Sequence, residues 1–157
     1  MKKGRTFSLI SRQIRVAVKE GKSGDPNQNS TLRLALEKAR QANMPKEKVE
    51  RAIESGLGKT AAGGVIEEVM YEAYGPGGVG LRILVVTDNR NRAGAEVRRV
   101  IERTGGSLAS PGATGYLFES GSAGQVTVDE TEKAKVEALI EALEALDEVE
   151  LVVSNLT

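Results

Sequence analysis

Apolar residues recur every three or four positions through the first sixty residues, and then the pattern changes to alternation and short continuous runs. Phe7, Ile10, Ile14 and Val18 define one buried face of a first helix. After the loop GKSGDPNQNS (21 to 30), Leu32, Ala35, Leu36, Ala39 and Ala42 define a second, with Ser30 or Thr31 available as its cap. Val49, Ala52, Ile53 and Leu57 line a third, with Pro45 tolerated in its first turn and Gly56 placed to stop it. Small residues in GLGKTAAGG (56 to 64) mark a boundary. Beyond it the pattern predicts strands over 65–74 and 81–87 joined by GPGGVG, a helix from about Asn91 to Thr104 stopped by Gly105 and Gly106, strands at 114–119 and 125–128, a helix over 130–146, and a last strand at 149–153. The expected fold is α+β: a three-helix domain over 1–60, then a ββαββαβ domain over 61–157 with a mixed or antiparallel sheet and two helices on one face.

Composition narrows the chemistry. The chain has 157 residues, enough for one ordinary domain or two small ones, with 39% hydrophobic and 28% charged content. It contains neither cysteine nor histidine. Disulfides, thiol catalysis, the usual zinc and iron ligands and the best neutral-pH proton carrier are thereby excluded, which disfavours most enzyme classes and predicts no metal and no cofactor. No apolar run approaches the roughly 20 residues of a membrane span, and arginines interrupt the N-terminus where a signal peptide needs apolar residues. A cytoplasmic protein with no membrane partner is expected.

The net charge of zero hides an asymmetry. Residues 1–60 hold 14 Lys and Arg against 6 Asp and Glu; residues 61–157 hold 8 against 16. Either the first part prefers polyanions, or the two parts attract each other within the chain or between copies, which leaves a homo-oligomer open. On a helical projection Arg5, Arg12, Arg15, Lys19 and Lys22 fall within about 100° of one another, away from the apolar face. With Lys2 and Lys3 ahead of them they can track a phosphate backbone, or can be a solvated face.

TDNRNR (87 to 92) poses a sharper question. Arg90 and Arg92 fall at a helix N-terminus, whose partial positive charge disfavours cations. A bound phosphate would offset this, meeting backbone N–H groups and both guanidinium groups. Asp88 could do the same within a purely structural turn, and Arg98 can pair with Glu102. Both readings stand at this point.

Other motifs are weaker. GPGGVG matches GxGxxG, but a strand follows where a dinucleotide site needs a helix, so a glycine-rich hairpin is expected. GKT (58 to 60) fails the P-loop spacing. Glu137, Glu141 and Glu144 read as a solvated helix face, with no catalytic residue. Five aromatic residues, Phe7, Tyr71, Tyr74, Tyr116 and Phe118, are too few and too apolar in context for a base-stacking binder.

The segments LRLALEKARQANMPKEKVERAIESGLG, EEVMYEAYGPGGVGLRILVVTDNRNRAGAEVRRVIERTGGSL and GATGYLFE together resemble the YebC/PmpR family. NMP, YEAYGPGG and TDNRNR in that order are its most specific features, and the match covers nearly the whole chain. The resemblance implies a non-enzymatic, nucleic-acid-linked regulator. Family members are described as DNA-binding transcriptional regulators and their mitochondrial relatives as translational activators, so DNA, ribosomal RNA or the ribosome are the implied partners. The chain resembles a short form, starting at MKKGRTFS without the basic arm usual in the family and passing from YLFES to QVTVDE without the inserted third domain.

Overall fold

The computed structural model describes residues 3–60, 62–115, 118 and 127–156, and side chains from residue 6 onward. It is an α+β structure. Three helices come first: α1 (Lys3–Gly21), α2 (Ser30–Gln41) and α3 (Lys46–Leu57). Ile10, Ile14, Ala17 and Val18 of α1 bury against Leu32, Ala35 and Ala39 of α2, Ala52 of α3 and Met44 between them. The predicted apolar faces are therefore the ones that pack.

Local chemistry decided two details differently from the sequence pattern. Asn29, rather than Ser30 or Thr31, caps α2: its side chain accepts from the Leu32 N–H at 3.0 Å and donates to the Ala17 carbonyl at 2.9 Å and the Ser23 carbonyl at 3.0 Å. An amide can cap one helix while donating to two further carbonyls; a hydroxyl, with a single hydrogen to give, could reach only one of them. Gly56 does not stop α3, which ends on Gly58 in the left-handed region. It sits where α1 passes closest, since a Cβ there would stand 2.6 Å from Val18 Cβ and 2.8 Å from the Arg15 carbonyl oxygen.

The remaining elements are β1 (Glu67–Tyr74), β2 (Gly80–Thr87), α4 (Arg90–Arg103), β3 (Ser107–Ala109), α5 (Glu130–Glu144) and β4 (Val149–Ser154). The sheet has the order β3-β1-β2-β4 and is antiparallel throughout, with β1 and β2 in register from Glu67 opposite Thr87 to Tyr74 opposite Gly80. GPGGVG is a hairpin connection containing a short 3-10 turn at Pro76–Gly78, with Gly77 and Gly78 at positive φ, where other residues would be strained. One face of the sheet carries Ala73, Leu81, Ile83, Val85 and Val149 under both helices: Ala93, Val97, Val100 and Ile101 of α4, and Val136, Leu139, Ile140 and Leu143 of α5.

The strands expected at 114–119 and 125–128 are not found in their described parts. Thr114 lies in a turn, Gly115 and Phe118 are helical, and Thr127 and Val128 lead irregularly into α5; Tyr116, Leu117, Glu119, Gln125 and Val126 lie outside the described residues. At Thr114 the reason is Glu72. Its buried carboxylate accepts from the N–H groups of Gly112 and Thr114, the latter at 3.0 Å, and from the Thr114 hydroxyl. Donors that a ladder would need are used there. These bonds, the Thr114 hydroxyl foremost, hold the Glu72 carboxyl below its usual pKa. The sheet position goes instead to β3, three residues that pair with the end of β1.

Candidate nucleic-acid interface

On α1 the cations divide. Arg12 and Lys19 are exposed on the helix face away from the core, as the projection predicts, and neither makes an ion pair among the described residues, although the Arg12 charge acts on Glu150. Lys22 is also exposed, but α1 ends at Gly21 and Lys22 takes a left-handed conformation (φ 53), so it lies past the helix rather than on the extrapolated stripe. Arg15 behaves differently. Its side chain is 15% exposed, its Nε is 2.6 Å from a Glu150 oxygen and its Nη1 bonds Glu68. Lys3 and Arg5 belong to α1, but their side chains, like Lys2 as a whole, lie outside the described residues.

Arg15 opens a polar belt where the helical part meets the sheet part. The Ser8 hydroxyl donates to Glu144 at 3.2 Å, the Lys48 ammonium to the Leu146 carbonyl at 2.9 Å, and Arg51 to Glu148 at 3.3 Å. Glu144 is thus buried against α1 instead of belonging to the solvated face expected of α5. Burial pushes the Lys48 pKa down, although the nearby Asp147 and Glu144 charges oppose it. Burial likewise pushes the Glu150 carboxyl up, against the attraction of Arg15. Nothing in the sequence marks this belt beyond the opposite charge of the two parts.

The same belt reaches TDNRNR. Asn89 caps α4, accepting from the Arg92 N–H at 3.1 Å, so the two arginines do sit in the first helical turn. Arg92 forks onto Glu148, Nε to Oε1 at 3.3 Å and Nη2 to Oε2 at 2.7 Å, and also donates to Asp88 at 3.1 Å. Glu148 and then Asp88 hold the Arg92 proton more firmly than usual, and Arg92 in turn lowers the Asp88 pKa. Arg90 is more loosely engaged, 3.4 Å from Glu67 with both groups half exposed or more. Glu148 is buried and also accepts from the Thr87 hydroxyl. The negative charges next to the helix start are therefore the chain's own carboxylates, and the dipole cost of two cations there is offset internally. Arg98 and Glu102 stand 3.8 Å apart, as their spacing predicts.

Comparison with known proteins places this geometry in a family. Residues 1–59 match the family model described as the TACO1/YebC protein N-terminal domain, and residues 66–124 match the TACO1/YebC second and third domain. The chain belongs to the TACO1/YebC family. A probable transcriptional regulatory protein of Chloroflexus aggregans is 49% identical over 82% of this chain and 50% of its own length, and one of Pseudothermotoga lettingae is 48% identical over 88% and 53%. The chain thus spans about half the length of the curated relatives it matches. Among solved structures, a conserved hypothetical protein from Aquifex aeolicus superposes with a TM-score of 0.64 at 31% identity, covering 98% of this chain and 90% of that one. These YebC-family names point to regulation rather than catalysis. Among the described residues no cluster of three potential metal ligands occurs, and no helix is long and apolar enough to cross a membrane.

Proposed function

We propose that this YebC-family chain is a DNA-binding regulator of transcription that grips phosphates through the outward face of its first helix. The observation that carries the reading is the division among these cations: Arg12 and Lys19 on α1, and Lys22 just past its end, are exposed and make no ion pair among the described residues, although Arg12 feels the Glu150 charge, while Arg15 is committed to Glu68 and Glu150. Unpaired cations on a rigid helix are what a phosphate backbone needs, and their neutralisation releases counterions. The names of the relatives are consistent with this role. Lys2, Lys3 and Arg5 would extend the same ridge. Arg15 and Arg92, held by the chain's own carboxylates, would contribute mainly by their field, whereas Arg90, exposed and touching Glu67 through one nitrogen, keeps donors for a phosphate.

The test is the salt dependence of binding to duplex DNA. The log-log slope should become shallower by about 0.9 for each phosphate contact removed in an Arg12→Gln, Lys19→Gln, Lys22→Gln triple variant. A slope unchanged from the parent sinks the ridge as the contact. If the parent instead co-sediments with ribosomes at physiological ionic strength and ignores duplex DNA, the regulator acts in translation on ribosomal RNA.

A further inference from the structure

The five arginines of α4 do not share one fate. Arg90 meets Glu67, Arg92 meets Glu148 and Asp88, and Arg98 meets Glu102. Arg99 and Arg103 have no carboxylate or hydrogen-bond partner among the described residues, and both are exposed. Both also line one cleft of about 720 Å³ between α4, the end of α5 and Arg51 of α3. Arg92, Glu96, Arg99 and Arg103 follow one another at intervals of four, three and four, a single helical stripe along the cleft wall.

The opposite wall and floor are mixed. Val100, Ala142, Ala145 and Leu146 supply apolar surface, while Asp147 and Glu148 supply negative charge. Glu148 is neutralised by Arg51 and Arg92, and the Asp147 charge acts on the buried Lys48. Among the described residues Glu96 and Asp147 therefore remain as lining carboxylates beside two unengaged guanidinium groups, with Asp147 on the opposite wall from Arg99 and Arg103 and partly offset by Lys48. Arg99 and Arg103 lie one helical turn apart, about 6 Å along the axis, so they can take successive anionic groups of one linear chain. The volume is that of a pocket for a small ligand, not of a groove for a duplex. No aromatic residue lines it among the described residues, so these walls offer no ring on which to select bases by stacking.

From these features we infer that the cleft between α4 and α5 is a second binding site, which takes the backbone of a single nucleic-acid strand. Phosphates face Arg99 and Arg103, and the sugar edge lies over Val100, Ala142 and Leu146. Arg51 and Arg92, anchored by Glu148, close the end of the cleft nearest the helical part. The inference rests on the nucleic-acid reading and adds a strand site away from the α1 ridge. A protein holding a duplex on α1 and a free strand on α4 is suited to a junction between paired and unpaired segments.

The test uses the full chain and a labelled oligo(U) strand followed by fluorescence anisotropy, with duplex DNA as the parallel probe. Arg99→Gln with Arg103→Gln should weaken oligo(U) binding at least about tenfold and flatten its salt slope by about 0.7 per phosphate lost. Arg98→Gln, which removes an equal type of charge from the same helix outside the cleft, should change binding less than about twofold. Ala145→Leu narrows the cleft mouth without altering charge or adding a ring for bases to stack on, and should also weaken oligo(U). Equal effects of Arg98→Gln and the cleft pair overturn the site, as does tighter binding of an acidic peptide than of oligo(U), lost in the same pair. A parent that binds duplex DNA but not oligo(U) sinks the cleft alone; one that binds neither sinks the nucleic-acid reading itself.

Discussion

The outward ridge of α1 and the belt between the helical and sheet parts are built from the same residue types, yet they do opposite things with them. In the ridge, Arg12, Lys19 and Lys22 are exposed and make no ion pair among the described residues, although Arg12 feels the Glu150 charge. In the belt, Arg15, Arg51 and Arg92 are forked onto Glu68, Glu148 and Glu150, and Lys48 is buried on a backbone carbonyl. Net charge therefore overstates what the first sixty residues can offer a polyanion. Part of their excess is spent on holding the chain's own acidic half, and only the remainder is free to meet phosphate. Internal attraction accounts for the belt cations, and the proposed polyanion contact rests on the ridge cations alone.

The sharpest way to break this comparison is to remove the acceptor on which the belt converges. Glu148 is 6% exposed and takes hydrogen bonds from Arg51, Arg92 and Thr87. Glu148→Ala should cost about 3 kcal/mol in urea unfolding, at the low end for a broken buried pair, because both arginines can partly regain water. A loss within about 0.5 kcal/mol, the range of ordinary surface changes, would mean that the belt is decorative.

A smaller effect separates the two arginines of TDNRNR. Arg92→Ala should cost about 1–3 kcal/mol, since it leaves a buried carboxylate with fewer donors. Arg90→Ala should cost less than about 1 kcal/mol, because its pair with Glu67 is exposed. Equal losses would deny that Arg92 alone is a brace. The distinction also marks the limit of what the sequence can disclose. Helix and strand periods are local, so the apolar faces of α1 to α5 and the β1–β2 hairpin were legible within windows of a dozen residues. The belt was not, because its partners lie far apart along the chain: Ser8 and Glu144 are separated by 136 residues and Arg15 and Glu68 by 53. Glu144 looks like any other solvated glutamate of α5 until the fold sets α1 against it. The missed β3 and the unformed strand at Thr114 share one cause, a single buried carboxylate at Glu72 whose donors arrive from 40 and 42 residues away. Family resemblance reached the architecture and the regulatory class, but not which of the basic residues are free.

Within the belt a finer test is available through pH. Burial raises the Glu150 carboxyl above its ordinary value of 4.5. Its folded pKa therefore exceeds its unfolded one, and its stabilising contribution is full below the unfolded pKa and lost as pH rises through the folded value. Glu150→Gln removes that titration. The variant should gain stability relative to the parent between pH 4 and pH 7, followed by thermal unfolding at each pH. A parent that gains on the variant over this interval would show that attraction to Arg15 outweighs the cost of burial.

The smallest stability effect belongs to the ridge, and its smallness is the point. Arg12, Lys19 and Lys22 are exposed and make no ion pair among the described residues, so converting all three to Gln should leave unfolding within about 0.5 kcal/mol of the parent. Removing like charges from one face even relieves some mutual repulsion, which screening keeps small at physiological salt. Cations retained at no benefit to folding need another reason to be there, and polyanion binding supplies one. A loss comparable to that of Glu148→Ala would instead make the ridge a second belt, engaged with the chain itself rather than with nucleic acid, and the difference between the two regions would vanish.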